Sequence, residues 1–306
     1  MSKTTEQYRS DLITLLQNFD ASCPNLREKV LKLIPVWDHL SALGTSMLPH
    51  EIARSGRKRL LHYFRQYPKT VLSRKELAIV AGIDDWPRRV RELRQDFGWN
   101  IASGLSVKEM IDTEDVSING DLPDCTAMAP DDYIMLSPEQ DRDAAHRWKI
   151  ANDIRKGSGG AQAKILAFLL ENVGKPVSGE ELRYVTKDKS EWARRTRELR
   201  TEEGWQICTH WNGRPDLPPG MYVLESTQQL PAHDRKINDK TRREVLVRDN
   251  HVCQLCGWSH EKWNPSDPRH LELHHIEHHA SGGANEKENL KTLCNICHDQ
   301  EHKKLK

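Results

Sequence analysis

Residues 253–257 read CQLCG, residues 271–279 read LELHHIEHH and residues 289–302 read NLKTLCNICHDQEH. Together they place Cys253-x2-Cys256, the pair His274-His275, Asn289, Cys294-x2-Cys297-His298 and His302 on one short segment. Nine of the chain's 15 histidines fall between His251 and His302. Two chemistries overlap in this last quarter. A CxxC turn lets two thiolates reach one tetrahedral ion at about 2.3 Å, and two such turns close its shell. A closed shell leaves no position for water. Cys253, Cys256, Cys294 and Cys297 are therefore read as ligands of a structural zinc. The segment is poor in large apolar residues, so a metal staple supplies folding energy that a small core does not. The competing reading is two disulfides. Seven cysteines, no signal peptide and no apolar run of membrane length point to a cytoplasmic chain with reduced thiols. Cys23, Cys125 and Cys208 are isolated and need no special role.

The histidines carry the second chemistry. LELHHI alternates apolar and polar residues and reads as a strand ending at His275. Neighbours on a strand point to opposite sides, so His274 can bind a metal while His275 stays available as a base. ASGGANEKENL carries the glycine pair of a loop. NLKTLCNICHDQEHKKL reads as a strand end running into a helix. His298 and His302, four apart on one helical face, could both reach one ion. His278 and His279 stand at the loop entrance and are read as solvated or phosphate-facing.

This spacing closely resembles the HNH (ββα-metal) nuclease family over about residues 242–304. The resemblance implies a divalent ion on His274, His298 and His302, His275 as general base, and Asn289 bracing the loop that carries the histidines. A neutral imidazole with a reference pKa of about 6.5 can take a proton from water near neutral pH. A divalent ion stabilises charge on the phosphoryl oxygens and the leaving 3′ oxygen. Imidazole ligands suit Mn²⁺, Co²⁺, Ni²⁺ or Zn²⁺ on softness alone; Mg²⁺ as the working ion is what the resemblance implies. A bland zinc module with spare surface histidines is the alternative, and it has no use for HH, N and CHxxxH together.

Upstream, the chain repeats itself. LSRKELAIVAGIDDWPRRVRELRQDFGWNIAS (72–103) matches VSGEELRYVTKDKSEWARRTRELRTEEGWQICT (177–209). Trp86, Arg88, Arg91, Glu92, Leu93 and Trp99 fall on Trp192, Arg194, Arg197, Glu198, Leu199 and Trp205. Each copy reads as helix, short strand, helix, helix and β-hairpin, the order of a winged helix-turn-helix. Trp86, Val90, Leu93 and Phe97 form the buried stripe of the third helix in the first copy, and Trp192, Thr196 and Leu199 form it in the second. Arg88, Arg91 and Gln95, and Arg194 and Arg197, then face outward, where a recognition helix reads the major groove. Trp211 and Arg214, at the tip of the second wing, could stack on a base or enter a minor groove. The bland alternative is solvated i,i+4 pairs such as Arg88–Glu92 and Arg194–Glu198 on a protein-binding scaffold. The first wing is long. From Glu109 to Asp141 there are ten acidic residues and no Lys or Arg, which reads as a solvated insertion (109–132) facing away from DNA. The alternative is carboxylate contact with cytosine amino groups.

At 306 residues the chain has room for two or three domains, and with 46 basic against 45 acidic residues its bulk charge does not announce nucleic acid. The expected architecture is α+β and multidomain: a helical N-terminal region (1–57), winged-helix repeats at 58–145 and 162–226, and a nuclease domain at 240–306. Linkers are expected at 146–162 and 226–241. EQYRSDLITLLQNF, NLREKVLKLIPVWDHLSAL and LPHEIARS read as helices whose apolar stripes want a partner. The whole resembles restriction endonucleases that attach HNH chemistry to separate DNA-reading domains. It implies a sequence-specific restriction enzyme acting on double-stranded DNA, without a membrane or small-molecule cofactor. One such site attacks one strand, so a homodimer is expected for a duplex cut. Two alternatives stand beside it. One is an enzyme that requires methyl- or hydroxymethylcytosine or methyladenine. The other is a DNA-binding regulator with a vestigial metal module, which the intact His274, His275, Asn289 and His298 argue against.

Overall fold

A computed structural model describes residues 3–49, 51, 54–114, 125–230, 237–262, 264, 267–277 and 283–303. The chain forms two compact units: residues 1–105 with 125–145, and residues 106–124 with 146–306.

The first unit opens with a helical hairpin. Thr4 starts α1 (Thr5–Gln17) in a reciprocal capping box with Gln7, and the Asn25 side chain caps α2 (Leu26–Ser46). Thr5 Oγ1 donates to Ser46 O at 3.0 Å, and Tyr8 meets His39 edge-on, so the two helices run antiparallel. The third expected helix, at 48–55, is absent among the described residues; residues 50, 52 and 53 lie outside them. Leu26, Val30, Leu33, Ile34 and Trp37 of α2 remain exposed.

A repeat follows. It consists of α3 (Gly56–Gln66), β1 (Val71–Leu72), α4 (Arg74–Ala81), α5 (Trp86–Gln95), β2 (Trp99–Ser103) and, after an excursion, β3 (Tyr133–Gln140). The strands form one sheet in the order β1-β3-β2. Ser73 and Glu76 make the capping box of α4, and Gly82 ends it in the left-handed region (φ +56°), where a side chain would be strained. Leu60, Phe64, Leu77, Val90, Leu93, Ile101 and Met135 fill the core. The excursion between β2 and β3 contains α6 (Gly104–Glu114), most of which belongs to the second unit.

After β3 the chain enters the second unit along α7 (Ala144–Lys156), so the expected linker is largely a helix. Its Ala151 is fully buried, and Arg147 Nε meets Glu181 Oε1 at 2.9 Å in a buried ion pair. The second copy of the repeat is α8 (Ala161–Leu170), β4 (Val177–Ser178), α9 (Gly179–Val185), α10 (Trp192–Thr201), β5 (Trp205–Thr209) and β6 (Met221–Gln229), with sheet order β4-β6-β5. The duplication extends to side chains. Trp86 meets Tyr133 edge-on at 5.8 Å, and Trp192 meets Tyr222 in the same way at 5.8 Å. Ser178 and Glu181 repeat the capping box, and a bulge interrupts both hairpins, between Trp99 and Ile101 and between Trp205 and Ile207.

The same unit continues into α11 (Asp239–Arg248), the antiparallel pair β7 (Leu271–His275) and β8 (Leu290–Cys294), and α12 (Asn295–Lys303). Val245, Leu246, Trp258, Leu271, Leu273, Leu290 and Leu293 make a small core that also includes Cys253, Cys294 and Cys297. Arg200 Nη2 donates to Asp239 Oδ2 at 2.7 Å and Arg200 Nε to Asp239 Oδ1 at 3.0 Å, tying the end of α10 to the start of α11. Asp239 is buried. Burial opposes its ionisation, but the charge and hydrogen bonds of Arg200 hold its carboxyl below the usual range.

Candidate metal centre and nuclease site

The two CxxC turns converge. The Sγ atoms of Cys253, Cys256, Cys294 and Cys297 lie within 4.8 Å of one another. Cys256 Sγ is 3.7 Å from Cys294 Sγ, far beyond the roughly 2.05 Å of a disulfide and close to the separation of two thiolates on one tetrahedral ion. Backbone N–H groups of Cys256 and Cys297 point at the sulfurs of Cys253 and Cys294, each at 3.5 Å. Burial opposes the Cys253 thiolate, yet backbone donors from Cys256, Cys294 and Leu255 bring its thiol down to about 7. The cluster can hold a metal ion. It fastens the loop after α11 to the junction of β8 and α12.

A second group lies on the same secondary elements. β7 ends in His274 and His275, and α12 carries His298 in its first turn and His302 one turn later. The rings of His274 and His298 are 5.1 Å apart, those of His274 and His302 5.1 Å, and those of His298 and His302 4.5 Å. One nitrogen from each lies within 4.8 Å of the others. His298 Nε2 is 3.2 Å from His302 Nε2. Two nitrogens at about 2.0–2.1 Å from one tetrahedral ion would be separated by about this distance. The donor set therefore fits a divalent ion.

His275 faces the other way. Its Nε2 lies 2.7 Å from Asn285 Oδ1. A carboxamide oxygen only accepts, so Nε2 carries the proton and Nδ1 is the basic nitrogen. Asn289 ties the loop shut. Its Oδ1 accepts from Glu277 N at 2.7 Å, and its Nδ2 donates to Glu277 O and Ala284 O, each at 3.0 Å. Gly283 allows this approach: a Cβ there would lie 1.9 Å from Glu277 O. Replacing Asn289 by alanine is expected to reduce any cleavage about 10- to 100-fold without loss of metal from the cysteines, because three hydrogen bonds that fix the end of β7 disappear. Metal content and cleavage rate measured on one preparation check this.

Several residues of the site have no motif to announce them. Glu272 shares the β7 face with His274 and accepts from His298 Nδ1 at 2.9 Å. Such a carboxylate fixes the imidazole tautomer and turns Nε2 toward the ion. Burial opposes the charge of Glu272, but hydrogen bonds from His270 and His298 hold its carboxyl well below the usual range. Arg248 bonds Lys287 O and Leu290 O, each at 2.6 Å, and so anchors the turn that carries Asn289. His278 and His279 lie outside the described residues. His260, also counted in the histidine-rich segment, has its side chain covered; desolvation and the nearby Arg214 push it down to about 3.

The expected DNA-reading residues divide. On α5, Arg88 and Arg91 are exposed and Gln95 is half-buried. Arg88 sits 3.4 Å from Glu92 and 3.8 Å from Asp85. Arg194 occupies the matching place on α10, 3.1 Å from Glu198 and 3.8 Å from Glu191. Arg197 differs from Arg91: its Nη1 donates to Thr113 O of α6 at 2.9 Å. Ser106, Val107 and Met110 of α6 are buried in the second unit. Burial pushes the Glu109 carboxyl upward, and it accepts backbone N–H groups of Glu191 and Trp192, where α10 has no side-chain cap of its own. This corrects the expectation of a wholly solvated insertion; its described first part is a structural brace on α10, and residues 115–124 lie outside the described set. In the second wing Trp211 is half-buried, edge-on to His210. Arg214 is turned inward and buried. It pairs with Asp216 and with Glu225, each at 2.8 Å, and so holds the wing together instead of reaching for a groove.

The comparisons with known proteins fall on these same segments. Residues 253–304 match the HNH endonuclease family model. Residues 57–136 and 162–225, the two repeats, match the model described as the KpnI N-terminal domain. A curated relative, the type II restriction enzyme KpnI of Klebsiella pneumoniae, is 29% identical over 99 residues, which cover 30% of this chain and 45% of that protein. The match thus spans less than half of the relative's length. No solved structure matches. Among the described residues no helix is long and apolar enough to cross a membrane. The chain carries an HNH endonuclease domain at residues 253–304, and the repeats ahead of it are similar to the KpnI N-terminal domain.

Proposed function

We propose that this chain is a metal-dependent DNA endonuclease of restriction type, with the histidine site hydrolysing a phosphodiester and the repeats reading the target. The observation that carries the reading is the division of labour on β7. His274 joins His298 and His302 around one point, while His275, its neighbour, faces away and is held by Asn285. A zinc-binding module alone needs neither group.

In this reading Cys253, Cys256, Cys294 and Cys297 hold a structural zinc, and a divalent ion on the three histidines is Mg²⁺ or a transition metal. That ion would supply positive charge to the phosphoryl oxygens and the leaving oxygen. His275 takes the proton of the attacking water at Nδ1, and Asn285 holds the ring in the tautomer that permits this. Glu272 keeps His298 in register, and Asn289 keeps the loop from drifting. One such site cuts one strand. Two copies of the chain, related by a two-fold axis, would cut both and would favour a palindromic target.

The two repeats act as winged-helix DNA readers, and α5 is the better placed of their third helices. Arg88→Ala and Arg91→Ala are expected to weaken DNA binding. A change that removes a contact to a base edge costs about 1–3 kcal/mol and relaxes the preference at one position of the site. A phosphate contact lowers the affinity for all sequences and the salt slope together. Arg197→Ala is expected to act mainly on stability, since its partner is Thr113. Binding isotherms at several salt concentrations separate these cases, and four variants (those three and Arg194→Ala) with parental affinity and site choice would remove the helices from DNA reading. The function itself is tested by digesting methylated and unmethylated phage DNA with Mg²⁺ or Mn²⁺ and sequencing the ends. Fixed ends in unmethylated DNA support the reading. Cleavage confined to modified DNA would replace sequence reading by modification dependence, and no cleavage under either condition would sink it.

A further inference from the structure

We propose that Gln206, a residue of the second repeat, is a positioning residue for the ion at His274, His298 and His302. The inference rests on the reading of those histidines as a catalytic metal site.

Glu272 receives three donors. His298 Nδ1 lies 2.9 Å from Oε2, and His270 Nε2 lies 3.0 Å from Oε1. The third donor comes from outside the HNH segment: Gln206 Nε2 donates to Glu272 Oε1 at 2.8 Å. Gln206 stands on β5 between Trp205 and Ile207, and the extra residues of the register shift lie opposite it on β6, between Leu224 and Gln229. Trp205 pairs with Gln229 and Ile207 with Leu224, so the backbone on both sides of Gln206 is fixed. The repeat thus presents a rigid donor to the carboxylate that orients His298. The matched residue of the first repeat, Asn100, occupies the corresponding place on β2 but is one methylene shorter.

The consequence is that the metal site is completed by the DNA-reading part of the chain. Without Gln206, Oε1 retains only His270, and the Glu272 side chain gains freedom to rotate. His298 Nε2 then loses its fixed approach to the point it shares with His302 Nε2, 3.2 Å away. Outer partners of this kind set metal affinity without touching the metal. The ion pair Arg200–Asp239 joins the same repeat to α11 through a different pair of side chains, so it serves as the control.

The test uses the full chain, loaded with zinc and titrated with Mn²⁺ by calorimetry and by the electron paramagnetic resonance of free Mn²⁺. Gln206→Met keeps the length and removes the donor. Gln206→Asn withdraws the donor by one methylene and places there the residue that the first repeat carries. Both are expected to weaken Mn²⁺ binding about 10-fold. The KM for DNA should stay at its parental value, and saturating Mn²⁺ should restore most of kcat. Asp239→Asn is expected to lower the melting temperature and to leave Mn²⁺ affinity unchanged. Mn²⁺ affinity within twofold of parental in both Gln206 variants would overturn the proposal. So would equal weakening by Asp239→Asn, which would make Gln206 a fastening of the fold and nothing more. If the parental chain shows no Mn²⁺ site that His274→Ala removes, the metal reading falls and the inference falls with it.

Discussion

Changing His275 to alanine is expected to lower the rate of DNA cleavage by about 10²-fold or more, with DNA affinity and zinc content unchanged. The expectation follows from where the imidazole sits. It closes β7 on the side opposite to His274, so its loss removes none of the three nitrogens that converge on the ion site. His275 is itself buried, 5% exposed, so its loss is expected to cost some stability, which a melting curve reads separately from the rate. Its partner is the Asn285 carboxamide, 2.7 Å away, which fixes the tautomer and leaves Nδ1 as the proton acceptor. Asn285→Ala should therefore reduce the rate less than His275→Ala, because the base survives and only its orientation is lost. Single-turnover cleavage of a labelled duplex, with binding measured in Ca²⁺, checks both variants. A His275→Ala protein that cuts near the parental rate would take this residue out of the mechanism.

What the sequence discloses and what it hides follow different physics. Metal ligation requires residue types that are rare elsewhere at spacings set by turn and helix geometry. CxxC, HH and HxxxH are therefore legible, and the structure brings Cys253, Cys256, Cys294 and Cys297 together as it does His274, His298 and His302. The duplication is legible for a similar reason. A buried tryptophan on a third helix packs against a tyrosine on the closing strand, and both partners recur in the second copy. Partners brought together only by the tertiary fold are not legible. Glu272 and Gln206 are 66 residues apart and carry no motif. Arg197 and Arg91 occupy the same place in their repeats, yet a helix from the first wing covers only Arg197. Arg214 looks like a basic tip residue in a GRPD turn until Glu225, eleven residues on, draws it inside. Exposure of a charged side chain is decided by what packs over it, and periodicity within one helix is blind to that.

The largest structural effect is expected from the cysteines. Cys253→Ser or Cys297→Ser should release the metal and unfold the chain from about residue 250 onward. Structural zinc contributes apparent binding free energies of about 10–16 kcal/mol in small domains, and that binding is folding energy. The covalent path makes the damage reach the histidines. Cys294 ends β8, Cys297 stands in the first turn of α12, and His298 is the next residue. Freed from the cluster, α12 is nine residues long, too short to be stable in water by itself. His298 and His302 would then lose their shared approach to His274, so the serine variants should be inactive even with added Mg²⁺ or Mn²⁺. The repeats have their own cores and should keep their structure and their affinity for DNA. Elemental analysis should find about one zinc per parental chain, removed slowly by chelators, and none in either variant. Limited proteolysis should trim the variants back toward α11. A parental protein free of metal, with two disulfides found by mass spectrometry, would refute the zinc reading. Serine variants that hold zinc and cut DNA at the parental rate would show that some other part of the chain holds α12 in place.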